Sequence, residues 1–127
     1  MAKLLLIFVG SGLGGVLRYL WGGAVQRLSG GNFPIGTLTI NVVGCLCIGF
    51  LMGALSGRWM IRENYRIALL VGVLGGFTTF STFGWETFAM LNDGQKTRAF
   101  LNVVASVVLG LAAVWMGYRL AESWLGA

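Results

Sequence analysis

Val71-Gly72-Val73-Leu74-Gly75-Gly76-Phe77-Thr78-Thr79-Phe80-Ser81-Thr82-Phe83-Gly84-Trp85-Glu86 runs through the middle of an apolar segment that extends from about Tyr65 to Leu91. That segment is long enough to cross a bilayer, which takes about 20 mostly apolar residues in a helix. Its centre, however, is unusual for a span that faces only lipid. Gly75-Gly76 is followed by the hydroxyl residues Thr78, Thr79, Ser81 and Thr82, and then by the carboxylate of Glu86. Glycine pairs loosen helices, and Ser and Thr cap new ones. A break is therefore expected near 75–78, with a second half-helix starting around Thr79.

Broken backbone at membrane depth has to be buried in protein or line a wet cavity, because lipid satisfies neither amides nor carbonyls. Such a break offers carbonyls to a cation and amides to an anion. The plainer alternative is a tolerated kink, with the hydroxyls bonded back to their own helix. On a half-helix Phe80 and Phe83 lie one turn apart on one face, beside a polar stripe of Thr79, Thr82 and Glu86. Aromatic rings are electropositive at the edge, so two inward edges with neighbouring hydroxyls make a dry anion contact. A phenylalanine stripe is also an ordinary packing device.

Three further apolar runs flank this one. With the third, the spans are expected at about 4–26, 36–56, 65–91 and 98–122, and short connections fill the rest of the chain. The first run, Leu4 to about Val25, is longer than a signal-peptide core, contains Arg18 and lacks an Ala-x-Ala cleavage site, so a retained helix is expected. The loop 28–34 carries the only proline, Pro34. Trp59, Tyr65, Trp115, Tyr118 and Trp124 lie toward the run ends, as in an interfacial aromatic belt.

Composition agrees with a lipid-solvated chain. Of 127 residues, 57% are hydrophobic and 10% charged, with a mean hydropathy of +0.82; a soluble domain carries about 25% charged residues. The net charge of +5 does not signal nucleic acid, because the basic residues sit mostly at the ends of apolar runs, with no patch of interleaved aromatics. Headgroup contact is the better reading. Lys3, Arg58, Arg62, Arg66 and Arg119 fall on one side and Arg27, Lys96 and Arg98 on the other, five against three. This weak bias fits either a termini-inside topology or insertion in both orientations. There is no histidine, and Cys45 and Cys47 sit within an apolar run as small packing residues. Zinc chemistry and Ser-His catalysis are thereby disfavoured.

Asn41, in the second run, is an intramembrane amide and must be paired, either as glue between helices or in a polar path. Gly10, Gly14, Gly15 and Gly22 in the first run, with Gly44 and Gly49 in the second, are read as sites of close helix approach. Arg18 can snorkel to headgroups or concentrate anions in a vestibule. Asn102 and Ser106, one turn apart in the fourth run, are further vestibule candidates.

Taken together, these features resemble the Fluc (CrcB) family of fluoride channels. The resemblance rests on Gly75-Gly76-Phe77-Thr78-Thr79-Phe80-Ser81-Thr82-Phe83 with Glu86, on Gly36-Thr37-Leu38 with Asn41 and Gly44, and on Gly14 with Arg18-Tyr19. It implies a multi-pass protein of the bacterial plasma membrane: all-α, four-span, with a broken third helix, assembled as an antiparallel dual-topology homodimer with two pores. Phe80, Phe83 and Asn41 would line those pores, with Thr79, Ser81, Thr82 and Glu86 near the ion path and Arg18 in the vestibule. A structural sodium ion would sit on the two-fold axis, held by the backbone carbonyls of Gly75 and Thr78. The implied activity is passive, selective export of fluoride from the cytoplasm. A proton-coupled multidrug exporter, which needs a membrane-embedded carboxylate such as Glu86, is the main rival. A non-transporting scaffold is a second, and an enzyme is poorer still, since no nucleophile–base pair can be assembled.

Overall fold

The computed structural model describes residues 1–57 and 60–125. Arg58 and Trp59, assigned above to a basic loop and the aromatic belt, lie outside the described residues. The described chain is all-helical. Helix α1 is Ala2–Ser29 and α2 is Ile35–Gly57. The third span contains α3 (Glu63–Ile67), a wider π-helical stretch Ala68–Leu74 and a helical turn Gly75–Phe77. It continues into α4, Ser81–Asn92. Helix α5 is Lys96–Leu125.

Four segments are long and apolar enough to cross a membrane: Ala2–Ser29, Ile35–Leu55, Glu63–Asn92 and Lys96–Leu125. Large apolar side chains are exposed along all of them, for example Leu5, Phe8, Phe100 and Leu111. Water would not tolerate such a surface, whereas acyl chains match it. This is a multi-pass membrane protein.

Local chemistry ends and starts the helices. Gly30 closes α1 in the left-handed region at φ 64, a conformation cheap only for glycine. Gln26 then reaches over the loop. Its Nε2 donates to the Gly31 carbonyl (3.1 Å) and the Phe33 carbonyl (3.0 Å), and its Oε1 accepts the Gly36 N–H (3.0 Å). One side chain thus satisfies an orphan amide at the start of α2 and pins the turn that leads into it.

The bundle is made of two intimate pairs. Helix α2 packs most extensively on α5, and α1 on the first half of the third span. In lipid there is no hydrophobic force between helices, so close approach has to come from small residues. A methyl on Gly117 would come within 2.8 Å of the Phe50 backbone nitrogen, and one on Gly10 within 2.8 Å of the Ala68 carbonyl oxygen. Gly76 is of the same kind, with the Ser11 carbonyl 2.5 Å from where its Cβ would be. The apolar residues buried inside the described chain are correspondingly small or few: Ala54, Ala99, Ala113 and Ala121, with Ile40, Phe77 and Met90.

Candidate functional site

The helical pattern of the third span lapses at residues 78–80. Sequence reasoning placed the change at 75–78, but Gly75–Phe77 is still a helical turn and it is Thr78 that turns extended, at φ −82 and ψ 157. The reason is packing. Gly76 is in contact with α1, so this glycine serves the helix seam and does not loosen the backbone. The helix resumes at Ser81, two residues later than expected.

A lapse in a helix frees backbone groups, and side chains here take them up. Asn41 on α2 pairs with both polar groups of Thr79: its Nδ2 donates to the Thr79 carbonyl and its Oδ1 accepts the Thr79 N–H, each at 2.9 Å. An amide side chain presents a donor and an acceptor side by side, as this pairing requires. The Thr79 hydroxyl accepts the Thr82 N–H (3.2 Å) and donates to the Thr82 hydroxyl (3.1 Å), as a residue capping α4 should. The Thr78 hydroxyl and amide both donate to the Leu74 carbonyl, each at 3.0 Å. Two carbonyls stay free: among the described residues nothing donates a hydrogen bond to Gly75 or Thr78 oxygen.

A cavity of about 480 Å³ opens beside this lapse, lined by Asn41, Gly75, Thr78, Thr79, Phe80, Phe83 and Ser106 against apolar walls from Ile48, Leu70, Leu74 and Val107. Phe80 and Phe83 have ring centroids 5.6 Å apart at 45°. Phe80 is 82% exposed. Ser81 and Thr82 are exposed and do not line the cavity. Gly75 and Thr78, whose carbonyls are free, both lie on its wall.

The remaining candidates are elsewhere. Glu86 lines a second cavity of about 370 Å³ with Gln26, Asn32, Pro34, Asp93 and Gln95. Its Oε1 is shut off from solvent and has no hydrogen-bond partner among the described residues. Arg18 is half-buried on α1 and makes no hydrogen bond or ion pair with a described residue. Asn102 is enclosed, at 2% exposure, where the sequence suggested a vestibule. Its Nδ2 donates to the Thr87 hydroxyl (2.9 Å), which donates to the Phe83 carbonyl (2.8 Å). Among the described residues no group of three or more His, Cys, Asp or Glu side chains could hold a metal. The free Gly75 and Thr78 carbonyls are hard oxygen donors of the kind an alkali cation takes.

A family model described as "CrcB-like protein, Camphor Resistance (CrcB)" matches residues 5–118. The chain belongs to the CrcB family. Its relatives within that family include proteins named fluoride-specific ion channel FluC. One from Solibacter usitatus is 49% identical over 94% of this chain and 98% of its own length. Another from Geobacter sulfurreducens is 46% identical over 96% and 98%. A third, from Phocaeicola vulgatus, is 43% identical over 96% of this chain and all of its own length.

Some residues that support this region escaped the sequence reading. Thr87 stands four residues after Phe83, the spacing of a hydroxyl back-bonded to its own helix, but it lies beyond the cluster that ends at Thr82. Gln26 looked like a mere helix end. Trp21 donates from Nε1 to the Thr39 hydroxyl (3.2 Å) and meets the Phe77 ring edge-on at 6.3 Å.

Proposed function

We propose that this chain forms a passive, fluoride-selective channel that exports fluoride from the cytoplasm and so limits its toxicity. Two copies assemble antiparallel, in dual topology, with two pores along their interface. The observation that carries this reading is the meeting of Asn41, Thr79, Phe80, Phe83 and Ser106 in one cavity beside the non-helical residues 78–80. The relatives' names agree with it.

The chemistry follows from fluoride's size. The ion is small and holds its water tightly, so a path must replace several donors at once. Hydroxyls, amide hydrogens and electropositive ring edges do this at close quarters, without the full cation that would trap the ion. A larger halide fits a path of that width poorly. One copy leaves the polar Ser81 and Thr82, next to non-helical backbone, uncovered in the middle of a span, which an apolar solvent does not tolerate. A second copy covers them and completes the wall. The backbone carbonyls of Gly75 and Thr78 would hold a structural sodium ion shared by the two copies, which would supply positive charge beside the cavity.

Fluoride efflux from liposomes loaded with fluoride or chloride, with no proton gradient, tests the proposal. Fluoride efflux far above chloride is the expected result. Equal leakage of both, or efflux that appears only with a proton gradient, would sink it.

A further inference from the structure

Helix α4 carries Phe83 and begins directly after Phe80, yet other helices support it only sparingly. Behind it lies the non-helical stretch 78–80, and among the described residues it packs only on α5 and α2. Something has to fix its rotation. The Asn41–Thr79 pair holds its start. A second tie sits near its middle, where the Asn102 amide donates to the Thr87 hydroxyl and that hydroxyl's single hydrogen goes to the Phe83 carbonyl.

We propose that Asn102 and Thr87 form a clamp that sets the rotation of α4, and thereby the aim of the Phe83 and Phe80 rings into the cavity. Both are positioning residues: neither lines the cavity. Three observations carry this. Asn102 is only 2% exposed on a helix whose other buried residues are alanine and glycine, so packing alone did not require an amide there. A buried amide in a span is unfavourable unless paired, and its donor is spent on one hydroxyl of the neighbouring helix. That hydroxyl is in turn bonded to the backbone of Phe83, so the two bonds in series link α5 directly to the residue whose ring borders the cavity. An apolar pair could hold the helices together. It would restrain their rotation only through packing and would not tie it to the Phe83 backbone.

The flux arm of the test rests on the channel reading; the spectroscopic arm does not. The full-length protein is prepared with 4-fluorophenylalanine at position 83, and the ¹⁹F signal and fluoride efflux per folded molecule are compared across variants. Thr87→Ser keeps the hydroxyl and should leave the signal in place. Thr87→Val should displace or split it and lower efflux about tenfold, the effect of roughly one lost directed hydrogen bond. If the orphaned Asn102 amide prevents folding of that variant, the double variant Asn102→Leu/Thr87→Val decides, since removing both polar partners leaves neither unsatisfied. A double variant with the wild-type ring signal and flux overturns the clamp. So does one that fails to fold, because the pair would then serve assembly instead of aim. A wild-type protein that passes no fluoride, yet whose ring signal moves in Thr87→Val, fells the channel reading and leaves the clamp standing.

Discussion

Replacing Asn41 with alanine should both loosen the protein and nearly abolish its fluoride flux. The side chain makes two hydrogen bonds of 2.9 Å to the backbone of Thr79, a residue 8% exposed. Alanine leaves the Thr79 N–H and carbonyl without partners. Each orphaned buried group costs about 1–3 kcal/mol, so the two together amount to roughly 2–6 kcal/mol. Because about 1.4 kcal/mol is a factor of ten, a midrange loss of ~4 kcal/mol lowers the population that keeps this backbone geometry roughly 700-fold. The Thr79 hydroxyl, which caps α4 through Thr82, depends on the same geometry and is lost with it. The measurement is fluoride efflux from liposomes at matched protein content, beside a thermal melt in detergent. Wild-type efflux together with an unshifted melt would refute the argument, since it would mean that the backbone at 78–80 needs no partner from α2.

Asn41→Asp keeps an acceptor for the Thr79 N–H but removes the donor and adds a negative charge, so it should suppress fluoride efflux even in protein that still folds; undiminished efflux would put Asn41 outside the path. Phe80→Ile and Phe83→Ile retain bulk but lose the electropositive ring edge. Each should cut fluoride flux at least tenfold, whereas a scaffold with no transport role predicts no change in permeability. If two copies pair around a sodium ion as proposed, exchanging sodium for a large organic cation throughout purification should weaken that dimer, seen as a later-eluting species on size exclusion; an unaffected dimer counts against the proposed ion site. Reporter tags at the C-terminus should be found on both faces of the membrane, and a single location would exclude dual topology for this chain.

The spans were legible because lipid makes one demand, about 20 apolar residues in a row, and the chain meets it four times. Gly75-Gly76 was the misleading signal. Glycine means loose backbone in water, but in a membrane span it also means close approach, and here Gly76 meets Ser11 of α1. The lapse therefore falls on Thr78 to Phe80, where side-chain hydroxyls and Asn41 can meet the freed groups. Which glycines matter was equally hidden. Gly10, Gly14 and Gly49 face other helices at contact distance, whereas Gly15 meets nothing within the protomer. Periodicity names a face but not its neighbour. Asn102 shows the same limit, since residue type signals a need for a partner without saying whether water or Thr87 supplies it.

The two glycine seams have a thermal consequence. A soluble protein owes its core to water's rejection of oil, a force that fades on cooling and leads toward cold unfolding. Here the helices already sit in oil, and what holds α1 to the third span and α2 to α5 is atom-to-atom dispersion between backbones brought together by missing side chains. Dispersion does not weaken as temperature drops. A bundle built this way should keep its cohesion in chilled membranes where many water-driven cores relax.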